Sequence, residues 1–306
     1  MLIEQTLFGT IDKVQIAIDR LKAFEPKDRP YWLAFSGGKD SCVILELAKM
    51  AGVKFEAHYN VTSVDPPELV RFVKKVHPEV SFDIPHDKNG KPISMWSLLK
   101  RHNVPPTRLD RYCCKELKES AGKGTITITG VRWAESKGRK QNQGVAVITG
   151  KTAQKKQEVQ EANGRVNGSN GVILNDDNDE ARRAVEVCFR THKTLVNPIV
   201  DWEDEDVWEF INKYDVPYCE LYDKGYKRLG CIGCPLSYNQ KRELDANPKY
   251  KEQYIRCFDK MVDNRKKKGF ESMRAWKTGQ DIYDWWVASG TTNYDQLSIL
   301  ETEDEP

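Results

Sequence analysis

Residues 31–41 read YWLAFSGGKDS, an apolar run followed directly by a loop with two adjacent glycines. The continuously apolar run at 31–35 is typical of a parallel strand that is covered on both faces. A helical pattern then extends over about 41–51 and stops at Gly52, the residue type that most often ends a helix. The stretch predicts a strand, a tight loop and a helix in immediate succession.

The loop at residues 36–41 has the composition of a phosphate-binding site. Gly37 and Gly38 let backbone N–H groups approach an anion, and the following helix adds the positive end of its dipole. Lys39 adds a cation, while Ser36 and Ser41 add hydroxyl donors. The Walker A pattern Gly-x-x-x-x-Gly-Lys-Ser/Thr is absent. An ordinary glycine turn with an incidental lysine is the alternative, but a loop after a buried strand lies where α/β folds bind ligands.

The alternation of strand and helix patterns continues along the chain. It predicts an α/β fold with a Rossmann-like, mainly parallel sheet and helices on both faces. Further strands are predicted at 53–60, 81–84, 125–129 and 194–200, and helices at 12–24, 67–76, 94–102 and 203–214.

The chain length of 306 residues suggests two domains. We expect an adenine-nucleotide-binding α/β domain over residues 1–218 and a smaller helical C-terminal subdomain over 219–306, with a long helix at 249–268. Residues 151–183 are rich in Asn-Gly and Asp pairs and lack apolar periodicity, so they predict a mobile insertion or a binding loop.

The charges nearly balance, with 48 Lys and Arg residues against 46 Asp and Glu residues and a net charge of +2. This balance does not favour wholesale coating of nucleic acid or adsorption to a membrane. No apolar run is long enough to cross a bilayer and the N-terminus does not resemble a signal peptide, so we expect a cytoplasmic protein without a membrane partner. A nucleic-acid acceptor stays open because of two local basic clusters, Lys151, Lys155 and Lys156 in the insertion, and Arg265, Lys266, Lys267 and Lys268.

Eight cysteines are many for a large protein that does not need disulfides. Four form tight pairs, as Cys113-Cys114 and Cys231-x-x-Cys234, and soft thiolates of this kind favour zinc or iron–sulfur. Neighbouring side chains diverge, so adjacent cysteines reach two irons of a cluster more easily than one tetrahedral ion. This favours a [4Fe–4S] cluster, with zinc as the second choice. Four unrelated thiols or a redox Cys-x-x-Cys are the alternatives. We interpret the remaining cysteines as packing residues: Cys42, Cys188, Cys219 and Cys257.

Several motifs in order resemble one family. The loop resembles the PP-loop of the adenine nucleotide α-hydrolase superfamily, which includes ATP pyrophosphatases and tRNA thiolases. The downstream motifs are similar to those of the phosphoadenosine phosphosulfate (PAPS) reductase-like family, over roughly residues 29–240. They are Gly130-Val131-Arg132 with Glu135-Ser136 and Arg139, Asn197-Pro198-Ile199 with Asp201-Trp202 and Asp206-Val207-Trp208, and Leu221-Tyr222-Asp223-Lys224-Gly225-Tyr226 leading to Cys231.

The resemblance implies specific roles for these residues. A nucleotide would be bound by Ser36, Gly37, Gly38, Lys39, Asp40, Ser41, Gly130, Arg132, Glu135 and Ser136. Catalytic roles would fall to Lys39, Asp40, Arg132 and Arg139, with the two arginines contacting phosphate or sulfate oxygens. A solvated helix face is the alternative for both arginines. Mg²⁺ would screen the phosphates, with Asp40 as a ligand. The four paired cysteines match the cluster-binding pattern of adenylyl sulfate reductases.

Two departures separate this chain from the reductases of that family. Those reductases attack sulfate with a cysteine on a C-terminal tail, and here no cysteine follows Cys257. Their PP-loops are also degraded, whereas this one is intact. We therefore expect an enzyme that binds ATP and cleaves it between the α- and β-phosphates to adenylate an acceptor in sulfur transfer, with a sulfur donor such as a cysteine desulfurase. The alternatives are a PAPS or adenylyl-sulfate reductase that releases sulfite with a thioredoxin-like reductant, and a nucleotide-binding, redox-sensing module.

Overall fold

A computed structural model describes residues 1–7, 9–119, 121–122, 124–149, 164–166, 171–188, 193–269 and 276–288. The chain divides into two compact units, each assembled from separate stretches. Unit 1 comprises Met1–Tyr59, Glu68–Phe82 and Gly122–Leu229. Unit 2 comprises Asn60–Pro67, Asp83–Ala121 and Gly230–Pro306.

The strands form one large sheet and a separate antiparallel hairpin. In chain order they are β1 Ile3–Thr6, β2 Gly9–Asp12, β3 Tyr31–Ala34, β4 Phe55–Asn60, β5 Ser81–Asp83, β6 Ile126–Ile128, β7 Ala146–Ile148, β8 Gly164–Val166, β9 Val172–Leu174 and β10 Thr194–Val196. The hairpin pairs β1 with β2, and the eight-stranded sheet has the order β5-β4-β3-β6-β10-β7-β9-β8. The pairs β4–β3, β3–β6 and β6–β10 are parallel, whereas β10–β7, β7–β9 and β9–β8 are antiparallel.

The α-helices carry the labels α1 to α11 in chain order. They are α1 Lys13–Ala23, α2 Lys39–Ala51, α3 Pro67–Val76, α4 Met95–Arg101, α5 Tyr112–Cys114, α6 Lys137–Asn142, α7 Asp179–Cys188, α8 Asp204–Lys213, α9 Gln240–Ala246, α10 Pro248–Lys267 and α11 Gly279–Ala288. A π-helical turn, Lys115–Glu119, continues α5, and a 3-10 turn spans Trp133–Glu135.

The sheet confirms the predicted α/β fold and adds an antiparallel side that the sequence did not predict. The strands predicted from apolar or β-branched runs are β3, β4, β5, β6 and β10. The segment 151–183, predicted as a loop, contains β8, β9 and the first turns of α7, while 151–163 and 167–170 lie outside the described residues. The strands β7, β8 and β9, with three residues each, form the antiparallel side.

The strand order reverses at β3, and this reversal places the candidate site. After β3 the chain adds β4 and β5 on one side, and then crosses to add β6 on the other side. The loops that follow β3 and β6 lie at this reversal, on the carboxyl side of the sheet, which is where open α/β sheets bind ligands.

Unit 2 is built around α10 and α11. Its buried core includes Leu98 and Leu99 of α4 together with Phe258, Met261 and Trp286 of the two C-terminal helices. Residues 83–121 therefore belong with the C-terminal stretch, which differs from the single domain boundary expected between 218 and 219. Local patterns place helices but do not show which distant helix buries their apolar face.

Candidate functional site

The glycine loop after β3 adopts a backbone that needs Gly37. This residue has φ +74°, in the left-handed region that disfavours side chains. A Cβ atom there would lie 2.7 Å from Leu69 Cδ1 and 2.8 Å from Val73 Cγ2 on α3. Gly38 follows in extended conformation as the N-cap of α2. The loop thus turns tightly against α3 and directs the chain into the helix.

Gly130 brings the end of β6 against the first turn of α2. A Cβ atom at Gly130 would stand 3.1 Å from the backbone carbon, the carbonyl oxygen and the Cβ of Asp40. This is closer than most real Cβ contacts allow, so the absence of a side chain permits the approach. The two segments predicted to contact a nucleotide, after β3 and after β6, therefore lie in contact with each other.

The loop serines hold the loop together through internal hydrogen bonds. Ser41 Oγ donates to the carbonyl of Gly38 at 2.8 Å, and the N–H of Gly38 donates to Ser36 Oγ at 3.4 Å. The two hydroxyl oxygens lie 3.3 Å apart. In this structure both serines stabilise the turn.

Four charged side chains converge beside the loop. Arg132 donates from Nε to Asp40 Oδ1 at 2.7 Å and from Nη2 to Asp204 Oδ1 at 2.6 Å. Its Nη1 donates to the carbonyl of Trp202 at 3.2 Å. Lys39 Nζ lies 3.0 Å from Asp204 Oδ1 and 3.4 Å from Asp40 Oδ2. Two cations and two carboxylates therefore balance, which offsets the cost of burying Arg132.

Interactions among these side chains shift the pKa of Asp204 and the pKa of Arg132, each toward the ionised form. Burial by itself would raise the pKa of Asp204, but its hydrogen bonds and charge interactions with Lys39 and Arg132 lower it below the ordinary value. Burial would lower the pKa of Arg132, and the two carboxylates raise it instead. Both shifts favour the ionised forms of Asp204 and Arg132.

Asp204 was not among the residues predicted from the sequence. It is the first residue of α8, which follows β10, and β10 pairs in parallel with β6. Residues that follow neighbouring parallel strands meet at one edge of a sheet, so this signal was present in the sequence. Of the four charged residues, Asp204 is the most exposed, at 57%.

Tyr222 was predicted only as part of a motif and not as a site residue. Its phenol oxygen accepts a hydrogen bond from the backbone N–H of Lys39 at 2.9 Å. Burial raises the pKa of Tyr222 well above its ordinary value, so the phenol stays protonated. The side chain thus contacts the first residue of α2 directly.

The predicted residues after Arg132 form a separate local network. Glu135 accepts a hydrogen bond from the N–H of Arg132 at 3.2 Å and pairs with Arg139 Nη1 at 3.2 Å. Ser136 is the N-cap of α6 and accepts from the N–H of Arg139 at 3.2 Å. These contacts orient the chain after β6, and the nucleotide roles of Glu135, Ser136 and Arg139 stay predictions.

The four paired cysteines line one pocket in unit 2. Cys113 and Cys114 come from α5, and Cys231 and Cys234 from the loop before α9. The pocket is completed by Thr62, Met95, Pro106, Leu117, Lys118, Gly233, Pro235, Tyr254 and Trp286. A cysteine pair from each of two distant stretches therefore meets in one place, and the predicted role of the four as metal ligands stays a prediction.

Electrostatics in the pocket favour a thiolate. A hydrogen bond from Cys113 lowers the pKa of Cys114 to about 6, with Lys118 and Arg111 adding to the effect. The same hydrogen bond, together with burial, raises the pKa of Cys113. Lys118 is kept protonated mainly by the charge of Cys231, which raises its pKa.

The donor set fits a soft metal or a cluster, because four thiols share one pocket with Lys118, whose charge lowers the pKa of Cys114. Within the described ranges, however, no group of three or more His, Cys, Asp or Glu side chains has the spacing to hold a metal ion. The cysteines are free in this structure.

Three of the other cysteines are buried, as predicted for packing residues: Cys42, Cys219 and Cys257. Burial raises the pKa of each thiol. The side chain of Cys188 lies outside the described residues.

Only part of the predicted basic clusters is described. Lys151, Lys155 and Lys156 lie outside the described residues. Arg265 is buried, donates to the carbonyl of Asn103 at 3.0 Å and stacks over Trp276, so it supports unit 2 instead of facing a partner. Lys266, Lys267 and Lys268 are exposed.

Among the described helices, none combines the length and the apolar character that crossing a bilayer requires.

Comparison with known protein families gives a match over most of the chain. Residues 30–237, more than half of the chain, match the phosphoadenosine phosphosulfate reductase domain. An uncharacterized protein of Methanocaldococcus jannaschii is 31% identical over 245 residues, which are 78% of this chain and 48% of that protein. An adenosine 5'-phosphosulfate reductase of Oceanobacillus iheyensis is 38% identical over 68 residues, 22% of this chain and 25% of that enzyme. The chain therefore spans about half the length of the archaeal relative.

The crystal structure of phosphoadenylyl-sulfate reductase from Candida auris, in a phosphate complex, superposes with a TM-score of 0.44 at 17% identity, covering 70% of this chain and 87% of that chain. From the match over residues 30–237, the chain belongs to the phosphoadenosine phosphosulfate reductase domain family.

Proposed function

We propose that this chain binds ATP at residues 36–41 and cleaves it between the α- and β-phosphates, adenylating an acceptor in sulfur transfer. The observation that carries the proposal is the position of the glycine loop. It lies at the reversal of strand order, it opens directly into α2, and it has Lys39 and Arg132 beside it. A backbone of this kind presents N–H groups and a helix dipole to an anion.

The proposed reaction is a displacement at the α-phosphorus. An oxygen of the acceptor forms the new bond to phosphorus, the bond to the bridging oxygen of the β-phosphate breaks, and pyrophosphate leaves with that electron pair. A sulfur nucleophile then displaces AMP from the adenylated acceptor. Lys39 and the N-terminus of α2 are suited to bind the negative charge that builds up on the leaving pyrophosphate.

Arg132 is suited to a positioning role in this reaction. It is 2% exposed and its guanidinium already holds Asp40 and Asp204. It therefore fixes both carboxylates relative to Lys39. Asp40, 25% exposed, is the carboxylate we propose for Mg²⁺ binding, since magnesium is usually bound by one or two carboxylates together with substrate phosphates.

We further propose that Cys113, Cys114, Cys231 and Cys234 hold a [4Fe–4S] cluster, with zinc as the second choice. The support is their common pocket and the thiolate character of Cys114. A bound cluster would supply one-electron chemistry. In that arrangement Lys118 offsets the negative charge of the thiolates.

Measurements of nucleotide affinity test the ATP proposal. ATP should bind more tightly than AMP, because the loop contacts the β- and γ-phosphates. Lys39→Met should weaken ATP binding about ten-fold or more, since a charge-assisted hydrogen bond contributes about 1.5–3 kcal/mol, and it should leave AMP binding nearly unchanged. Lys49→Met is the matched control, because Lys49 is on the same helix but pairs with Glu46 and Glu79. Equal affinity for ATP and AMP in the wild type would contradict the proposal.

A reductase is the second candidate, favoured by the local similarity to an adenosine 5'-phosphosulfate reductase. It predicts thioredoxin-dependent release of sulfite from PAPS or adenylyl sulfate, and no release of pyrophosphate from ATP. Anaerobic purification with quantification of iron and sulfide should precede both assays. Iron-free protein that is inactive on ATP would contradict the leading proposal.

A further inference from the structure

A side-chain oxygen of the protein itself accepts a hydrogen bond from the N-terminus of α2. The first residues of an α-helix have N–H groups without partners inside the helix. The N–H of Lys39, the first residue of α2, donates at 2.9 Å to the phenol oxygen of Tyr222. At this position the N–H groups of a helix N-terminus donate to the oxygens of a bound phosphate.

The phenol of Tyr222 lies directly against the glycine loop. A Cβ atom at Gly38 would lie 3.4 Å from the Tyr222 hydroxyl, in van der Waals contact, so a larger side chain would crowd it. The same loop that would admit a phosphate therefore admits the phenol. The two occupants need the same space at the same N–H group.

Tyr222 is held in this position by its own segment. Its N–H donates to the carbonyl of Cys219 at 3.1 Å, and its carbonyl accepts from the N–H of Gly225 at 3.0 Å. Gly225 has φ +85°, which closes a tight turn. The Tyr222 ring packs edge-on against Trp208, with 5.3 Å between ring centroids. The turn and the ring packing therefore fix the position from which Tyr222 contacts Lys39.

We propose that Tyr222 is an intramolecular cap of the phosphate-binding loop, which occupies the place of a ligand oxygen until a nucleotide phosphate displaces it. This inference rests on the proposed nucleotide binding at residues 36–41. A neutral phenol oxygen is a weaker acceptor than a charged phosphate oxygen, because charge-assisted hydrogen bonds are roughly twice as strong as neutral ones. In the free protein the phenol oxygen therefore accepts the hydrogen bond from the N–H of Lys39, and a bound phosphate replaces it.

Tyr222→Phe tests the cap because it removes the hydroxyl and keeps the ring against Trp208. The free variant no longer has the Lys39–Tyr222 hydrogen bond, so a ligand has less to displace. Inorganic pyrophosphate and ATP should each bind about two- to ten-fold more tightly, as expected for a bond contributing about 0.5–1.5 kcal/mol. Amide hydrogen exchange at Lys39 should accelerate in the free variant and slow again with pyrophosphate.

Tyr218→Phe is the matched control. Tyr218 belongs to the same aromatic group, with its ring centroid 5.3 Å from Trp208 and 6.3 Å from Tyr222, but its hydroxyl donates to Asp223. Its substitution should leave pyrophosphate binding and the exchange of Lys39 unchanged. A carbon-labelled tyrosine resonance of Tyr222 in the wild type gives a readout that does not depend on folding of the variant, and it should move when pyrophosphate saturates the protein.

The outcomes separate this inference from the proposed function. If the wild type binds pyrophosphate and Tyr222→Phe binds it equally or more weakly, the phenol is a donor to the ligand or a bystander, and the cap is wrong while nucleotide binding stands. An unmoved Tyr222 resonance on saturation has the same meaning. If neither protein binds pyrophosphate or ATP, the proposed function fails, and the cap fails with it.

Discussion

His77 is a buried titratable side chain that connects the stability of unit 1 to pH. Its ring packs against Phe35 and Phe72, at 5.0 and 5.4 Å between centroids. Burial lowers its pKa below the ordinary value, although the neighbouring Glu79 opposes the shift and Lys49 adds to it. The folded protein therefore disfavours protonated His77, while the unfolded chain accepts the proton near pH 6.5.

The sign of the effect follows from linkage. Because the pKa is lower in the folded state, the unfolded chain binds more protons as pH falls below about 6.5. The contribution of His77 to stability is complete above this pH and is lost on acidification. Urea denaturation at pH 7.5 and pH 5.5 should show a smaller loss of unfolding free energy for His77→Gln than for the wild type. An equal loss in both proteins would contradict the role of His77.

Single side chains also show where prediction from the sequence ends. Arg132 was predicted as a site residue from the family resemblance and from its position after a strand, and the structure places it beside the loop. Its burial against Asp40 and Asp204 did not follow, because Asp204 lies 72 residues later and depends on β10 pairing with β6. Tyr222 was missed for the same reason, since its contact with Lys39 spans 183 residues.

Two glycines at the ends of α2 have similar backbone conformations but differ in how closely other residues pack against them. Gly37 precedes the helix at φ +74° and lies against Leu69 and Val73, whereas Gly52 follows it at φ +68° with no atom within 4 Å of an added Cβ. Gly52→Ala should cost about 1–2 kcal/mol of unfolding free energy, the cost of a left-handed residue with a side chain. Gly37→Ala should cost about 1–3 kcal/mol more, as expected for overpacking.

Chemical denaturation of both variants measures this difference. Near-equal destabilisation of the two variants would show that α3 moves away from Gly37 at no cost in free energy. That would contradict the tight packing of the loop against Leu69 and Val73. A Gly37→Ala protein that keeps its stability but loses pyrophosphate binding would show that the substitution acts on the ligand instead of the fold.

The accuracy of prediction from the sequence differed between helices, parallel strands and antiparallel strands. Helices with strong periodicity were predicted to within a few residues, and α3 matched the predicted 67–76. Strands in the parallel part were found from their apolar and β-branched runs. The antiparallel strands β7, β8 and β9 were not predicted. Residues distant in sequence, such as Ile148 and Val172, pair in them, and β8 and β9 lie in a stretch rich in Asn, Asp and Gly.

Unit 2 is assembled from three separate stretches, and this gives a test of the cysteine pocket. Residues 83–121 supply Cys113 and Cys114, and residues from 230 onward supply Cys231 and Cys234. Anything that binds the four thiols only in the folded state stabilises the whole unit. Loading with iron and sulfide should therefore slow hydrogen exchange in α4, α9 and α10 together.

Two variants show whether this protection comes from the pocket. Cys113→Ser should abolish it, because it removes one of the four thiols. Cys257→Ala should retain it, because Cys257 is buried in the same core and is not among the residues that line the pocket. Protection that is confined to α9, next to Cys234, would show that the two pairs do not act on one bound group.

The same assembly has a consequence for how the protein is made. Cys114 leaves the ribosome 117 residues ahead of Cys231, which is about 6–23 s at synthesis rates of about 5–20 residues per second. During this interval the nascent Cys113-Cys114 pair has neither its partner thiols nor the helices that bury it. Oxidants and stray metal ions in the cell therefore meet the pair before the stretch of unit 2 from Gly230 onward exists. The yield of intact protein should depend on how reducing the cell is while the chain is still growing.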